Sequence, residues 1–342
     1  MIAAEQFRRR LMANRADIDC GYYTLTWQAR DWGESAYVQV INSDYIGNII
    51  SIEVNGITVP INYVVPTQNA DMTVKVRLRN LYSCAYLTRK LGYTFLSSMV
   101  ADAYIKQPYN IDVSQLDTSI TLNMAGMFGS DLYVFGGITG LASLNTSKVT
   151  NMRGMFYNTA GYNPTDIAGW DTSKVTDMGL MFAVYYTIGT LQPTSFDLSS
   201  WDTSSVETME MMFHDQRNAS SIIVDGWNTS KVKNMGGMFA NCIKLQALDL
   251  SSFDFTAIES GSIITDDDDI YIVPYSMNSM FTSCRALQEV TMSGAISSDA
   301  NTDYMFSDAN STGVFRYNPA HLADYQAKIF PRLPSGWTTQ AL

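Results

Sequence analysis

Across the middle of the chain, the apolar positions fall into a thirteen-residue phrase that returns again and again. Its clearest copies are residues 170–182 (WDTSKVTDMGLMF) and 227–239 (WNTSKVKNMGGMF). Residues 144–156 and 201–213 follow nearly letter for letter, residues 116–128 form a weaker first copy, and a sixth copy begins at Phe253. The starts at 116, 144, 170, 201, 227 and 253 are 28, 26, 31, 26 and 26 residues apart, so 26 is the basic period and additional residues map to loops. The copy at Phe253 needs 28 residues to reach Phe281 where the others need 12, which places an insertion of 16 residues between about Glu259 and Met277. A last, degenerate copy ends at Met305 and Phe306.

The spacing within the phrase predicts local structure. Val175, Met178, Met181 and Phe182 are separated by three, three and one, which puts them on one face of a short helix. Asp171, Thr172 and Ser173 precede that face and read as caps for its first N–H groups. Beyond the phenylalanine, Leu245, Leu248 and Leu250 fit an L-x-x-L-x-L strand, and Leu287, Val290 and Met292 repeat the spacing. One short helix or turn and one short strand cannot bury an apolar face alone, so successive units are expected to stack. The expected repeat core is Phe128, Phe156, Phe182, Phe213, Phe239, Phe281 and Phe306, with unbranched methionines filling irregular gaps.

The W-D-T-S-x-V-x-x-M-x-x-M-F phrase at this period resembles the BspA-like leucine-rich repeats of bacterial surface proteins, also found in Listeria and mycoplasma lipoproteins. The resemblance covers about 200 of 342 residues. It implies a solenoid with a parallel sheet and a role in extracellular binding or adhesion, and it implies no chemistry. The expected fold is therefore an α/β repeat, a leucine-rich-repeat-like solenoid over residues 116–317, with a small antiparallel β module before it and a helical cap after it.

The flanks have other rhythms. Tyr23, Leu25 and Trp27 alternate, as do Val38 and Val40, and Val74, Val76 and Leu78, predicting half-buried strands within residues 15–80. Asn55-Gly56 between alternating apolar runs signals a hairpin. This module is expected to cover the N-terminal edge of the solenoid. Residues 1–14 predict a short basic helix with Arg8, Arg9 and Arg10, while residues 81–115 are Tyr-rich and aperiodic and read as a connector. In residues 318–342, a stretch opening at Pro319 predicts a helix, followed by Pro331, Pro334 and Trp337, and reads as the C-terminal cap.

Charge narrows the partners. With 33 acidic against 22 basic residues the chain carries −11, which repels a phosphate backbone, so nucleic acid is not an expected partner. Only 16% of residues are charged, leaving a surface of Ser, Thr, Asn, Gly and Tyr suited to a secreted or particle-borne protein. Neither a Sec leader nor an apolar run long enough to cross a membrane is read from the sequence, so membrane insertion is not expected.

Candidate chemistry is sparse. His214 and His321 lie in separate elements, without Cys or carboxylate at metal-ligand spacing, so no metal, cofactor or catalytic group is assigned and the chain is read as non-enzymatic. Asp266, Asp267, Asp268 and Asp269 read as a solvated loop, with Ca²⁺ binding as the alternative. Cys242 and Cys284 each follow a repeat phenylalanine by three residues and read as a buried thiol ladder, a disulfide being the alternative.

Loops that break the period are the places to look for binding, because a rigid scaffold presents them on one face. The candidates are Tyr157 and Tyr162, Tyr185 and Tyr186 in the 31-residue unit, and the insertion with Asp266 to Asp269, Tyr271 and Tyr275. The expected function is recognition of a host surface protein or glycan. Display on a phage particle is the first expectation for location and the bacterial cell surface the second. The competing expectation is a purely structural virion or surface subunit that forms homo-oligomers, or joins virion proteins, through residues 1–80.

Overall fold

The computed structural model describes residues 18–27, 36–39, 47–60, 72–84, 92–95, 110–129, 137–185, 192–261, 264–266, 269–273 and 275–342. The basic helix expected over residues 1–14 and most of the connector lie outside them.

Five of the first seven strands run from β1 (Asp19–Trp27) through β3 (Ile49–Val54), β4 (Ile57–Val59) and β5 (Met72–Arg79) to β7 (Asn110–Leu116). With β8 (Gly137–Thr139) they form one sheet in the order β4-β3-β5-β1-β7-β8. The other two, β2 (Ala36–Gln39) and β6 (Gly92–Phe95), pair antiparallel with each other. Alternation sets the inner face: Met72, Val74, Val76 and Leu78 of β5 are buried, and Lys75 and Arg77 between them are exposed. The β3-β4 hairpin turns on Asn55 (φ 48°) and Gly56 (φ 82°), the two positive φ values that Asn-Gly tolerates.

At β7 the pairing changes sense. This strand is antiparallel to β1 and parallel to β8, so the N-terminal sheet runs into the first coil of a β-solenoid of about eight turns. The remaining strands are β9 (Ser195–Asp197), β10 (Ser221–Ile223), β11 (Ala247–Leu250), β12 (Ile264–Asp266), β13 (Asp269–Val273), β14 (Glu289–Met292), β15 (Thr312–Tyr317) and β16 (Gly336–Ala341). β9 pairs with β10, and β11-β14-β15-β16 form a second parallel sheet in which Leu248 faces Val290 and Leu250 faces Met292.

The helices expected in the thirteen-residue phrase are not formed. Its Met-x-x-Met-Phe segment is a turn whose third residue is left-handed in each of seven copies, the last of which opens on Thr302: Gly126, Gly154, Leu180, Met211, Gly237, Ser279 and Tyr304 all have φ between 53° and 61°. A left-handed residue cannot continue a right-handed helix. Alternate N–H groups turn outward to the next coil instead: Met178, Leu180 and Phe182 donate to Thr208, Glu210 and Met212. A single parallel bridge per coil joins Ser83, Asn123, Asn151, Asp177, Thr208 and Asn234. Asp171 is likewise not a helix cap. Its carboxylate accepts from the N–H and hydroxyl of Ser173 two residues on, a local Asx turn, and Thr172 is buried and donates to the Asp202 carbonyl of the next coil at 2.9 Å.

Part of the helix expected from Pro319 onward is formed at the C-terminal end. Short 3₁₀ turns at Pro319–His321 and Phe330–Arg332 flank one helix, α1 (Leu322–Lys328), after which β16 returns alongside β15. Trp337 of β16 is buried and donates to the Asn310 carbonyl at 2.7 Å. Helix and strand together thus make another coil.

The core is columnar. All seven repeat phenylalanines are buried, with ring centroids 5.4, 5.7, 5.5, 5.6, 5.9 and 5.0 Å apart from Phe128 to Phe306. Trp201 and Trp227 stack at 6.4 Å with a 3° tilt, and Phe253 continues the column. The indoles also tie coils together, since Trp170, Trp201 and Trp227 donate to the carbonyls of Leu141, Ile167 and Leu198. Tyr162 joins this core, stacked on Phe156 at 4.4 Å, and its buried hydroxyl has no hydrogen-bond partner among the described residues. Leaving that group unpaired costs free energy, so Tyr162→Phe is expected to stabilise the protein by about 1 kcal/mol, read from denaturant unfolding.

Candidate functional site

Tyr162 is not part of a binding loop: at 5% exposure it is a core residue, its ring stacked against Phe156 and Phe182. Tyr186, Asp267 and Asp268 lie outside the described residues. The others cluster more than the sequence indicated. Tyr157 and Tyr185 come from successive coils, both half-buried, with rings 5.6 Å apart. Tyr185 stacks on His214 of the following coil at 5.1 Å and 19°, so the three rings form a row along the turn face. The Asn158 side chain accepts from the Tyr185 N–H at 2.6 Å, and the Tyr185 hydroxyl meets the Met211 sulfur at 3.4 Å. Two hydrogen bonds thus fix the first residue of the longer loop against the coils on either side of it.

An ion cluster borders the row. The Arg153 guanidinium pairs with Glu210 two coils away and lies 3.6 Å from Asp177. Glu210 is only 4% exposed, and Thr208 also bonds its carboxylate. The pair spans an intervening coil because that coil offers Gly179. A Cβ there would lie 2.5 Å from the Arg153 nitrogen and 2.6 Å from the Glu210 oxygen. Burial raises the Asp177 carboxyl above its ordinary value, with Arg153 opposing. Burial lowers the His214 imidazole, against the nearby Asp215 carboxylate, and its Nδ1 is buried with no partner among the described residues.

The insertion is a hairpin, β12 against β13, with Asp266 paired to Asp269 and Tyr271 within β13. Tyr275 follows it, half-buried over Gly261, where a Cβ would fall inside the tyrosine ring. Burial raises the Tyr275 hydroxyl, and Glu259, Lys233 and Glu210 also act on it, so the base of the hairpin returns to the same face as the ion cluster.

The four cysteines are free and buried. Cys242 and Cys284 donate to the carbonyls of Phe213 and Phe239, at 3.2 and 3.1 Å. Thr159 and Gln216 do the same for Phe128 and Phe182, so the column three residues after each phenylalanine holds any donor able to satisfy that buried carbonyl. Burial pushes the Cys284 thiol up to about 12, which keeps it protonated.

Sequence reading missed His214 as a ring partner and the Arg153–Asp177–Glu210 cluster. The signal available was columnar: Arg153, Gly179 and Glu210 all follow the first methionine of their phrase. Among the described residues, no group of three or more His, Cys, Asp or Glu is placed to hold a metal ion, and no helix is long and apolar enough to cross a membrane.

The family described as "Mycoplasma protein of unknown function, DUF285" matches residues 94–190 and 185–266. It is a family of BspA-like repeats, in line with the resemblance carried by the thirteen-residue phrase. No curated protein and no solved structure matches the chain.

Proposed function

Because the chain belongs to the DUF285 family of Mycoplasma proteins of unknown function, we propose that it is a non-enzymatic binding protein whose turn face recognises a host surface protein or glycan. The observation that carries this reading is the row Tyr157–Tyr185–His214. Tyr157 and His214 each follow the repeat phenylalanine of their coil, and Tyr185 of the coil between them joins their rings into a half-buried row beside a fixed ion cluster. Rigid aromatics next to charged groups are the usual anchors of a recognition surface. The coil is a leucine-rich-repeat variant in this reading, supported by the buried Leu245, Leu248 and Leu250 at the family's strand spacing. Display on a phage particle or a bacterial surface is part of the same proposal, supported by the low charged fraction.

The test is binding of the purified chain to candidate host cells. Tyr185→Ala removes the middle ring of the row and is expected to weaken binding roughly tenfold or more, with the melting temperature little changed. Undiminished binding by a Tyr157→Ala, Tyr185→Ala double variant would overturn the assignment of this face.

A further inference from the structure

A groove of about 610 Å³ opens on the last coils of the solenoid, between Tyr304, Phe306, Asp308 and the segment carrying Pro331, Arg332 and Pro334. Its volume is that of an ordinary small-ligand site, ~300–1,000 Å³. We propose that this groove binds a short neutral saccharide, with Tyr304 as its stacking platform. The inference rests on the reading of the protein as a binding module but places the sugar away from the Tyr185 row.

Tyr304 is the first observation. It occupies the left-handed position of the repeat turn (φ 57°), where three other coils have glycine, and its side chain is 69% exposed. A large side chain in that conformation is strained, and Tyr304 gains little burial in return. The other large residues in the column are accounted for by packing: Met211 is buried under the Tyr185 hydroxyl, and Leu180 is half-buried. Tyr304 instead stands exposed among the residues that line the groove.

The polar rim is the second. Asp303 pairs with Arg332 at 2.7 Å, and Asp308 pairs with Arg285 at 2.5 Å. Arg285 holds the Asp308 carboxyl below its usual range, so it is ionised and keeps free lone pairs. Planar carboxylate and guanidinium groups can each accept from or donate to two adjacent hydroxyls, the pattern that a sugar diol presents. The accessible apolar surface of Pro331 and Pro334 suits the C–H face of a pyranose ring, which can also lie on Tyr304.

Charge selects the kind of sugar. Arg332, the arginine in the groove's lining, has the Asp303 carboxylate, and Arg285 behind Asp308 has that of Asp308, so neither cation is left over for an acidic glycan. Residues 116–342 also contain 23 of the 33 acidic residues and 11 of the 22 basic ones, so a polyanion is repelled at longer range.

The experiment uses the full chain on an array of neutral and acidic glycans, followed by titration calorimetry with the neutral di- and trisaccharides retained. Tyr304→Gly removes the platform while relieving the left-handed strain, so it is expected to lose at least tenfold in affinity with an equal or higher melting temperature. Tyr304→Phe and Tyr185→Ala are expected to keep binding. Saccharide binding that survives Tyr304→Gly and is lost in Tyr185→Ala would overturn the groove and leave the turn face as the recognition surface. Retention of acidic glycans alone, or of no saccharide while host-cell binding persists, would equally overturn it.

Discussion

Phe213→Ala is expected to destabilise the protein by about 3–5 kcal/mol, enough to unfold the central coils under mild denaturant. The phenyl ring is fully buried and lies 5.5 Å from Phe182, 5.6 Å from Phe239 and 5.3 Å from Phe196. Its neighbours are held by inter-coil backbone bonds on both sides, so they cannot collapse into the space left behind. The loss also spreads, because in a solenoid each coil is stabilised by the interfaces to the coils beside it, and weakening one interface divides the stack. Denaturant unfolding followed by circular dichroism gives the number. A change under about 1 kcal/mol, the size of an ordinary surface substitution, would mean that the phenylalanine column is not the interior of the fold.

Gly140→Val is expected to cost about 2–5 kcal/mol, combining left-handed strain with overpacking. Gly140 follows β8 with φ 80°, and a Cβ there would lie 2.3 Å from the Ser114 nitrogen and 2.6 Å from its Cα. Those atoms belong to the backbone of β7, which is paired on both sides and cannot yield. The damage is therefore expected at the seam between the N-terminal sheet and the first coil. Gly226→Val supplies the comparison. That glycine has φ 77° but open space around it, so only the backbone strain is incurred and the loss is expected to be smaller. Melting temperatures of the two variants, with hydrogen exchange at β1 and β7, separate the contributions. Equal losses would show that the close approach at Gly140 carries no energy.

The helix expected over the repeat phrase shows where pattern stops being informative. Spacings of three, three and one place Val175, Met178, Met181 and Phe182 on a common face, but a turn with one left-handed residue meets that requirement as well as a helix does. Glycines at 126, 154 and 237, inside the supposed helix, were the available warning. Tyr162 was misplaced for a related reason: the stretch around it has no period, and only the stacked coils reveal that its ring fills the space beside Phe156.

By itself the sequence determined the period, the membership of each column and the Asn-Gly hairpin. Side chains at equivalent points of a repeating chain must occupy equivalent places, and Asn55-Gly56 is decided by local dihedral preference. Only the tertiary structure decided which exposed residues meet. Arg153 reaches Glu210 across 57 positions of chain because Gly179 leaves room between them, and Tyr185 finds His214 because one coil sits above the next. Such contacts depend on the rise and rotation from coil to coil, which are set by the packing of the whole stack and written in no single phrase.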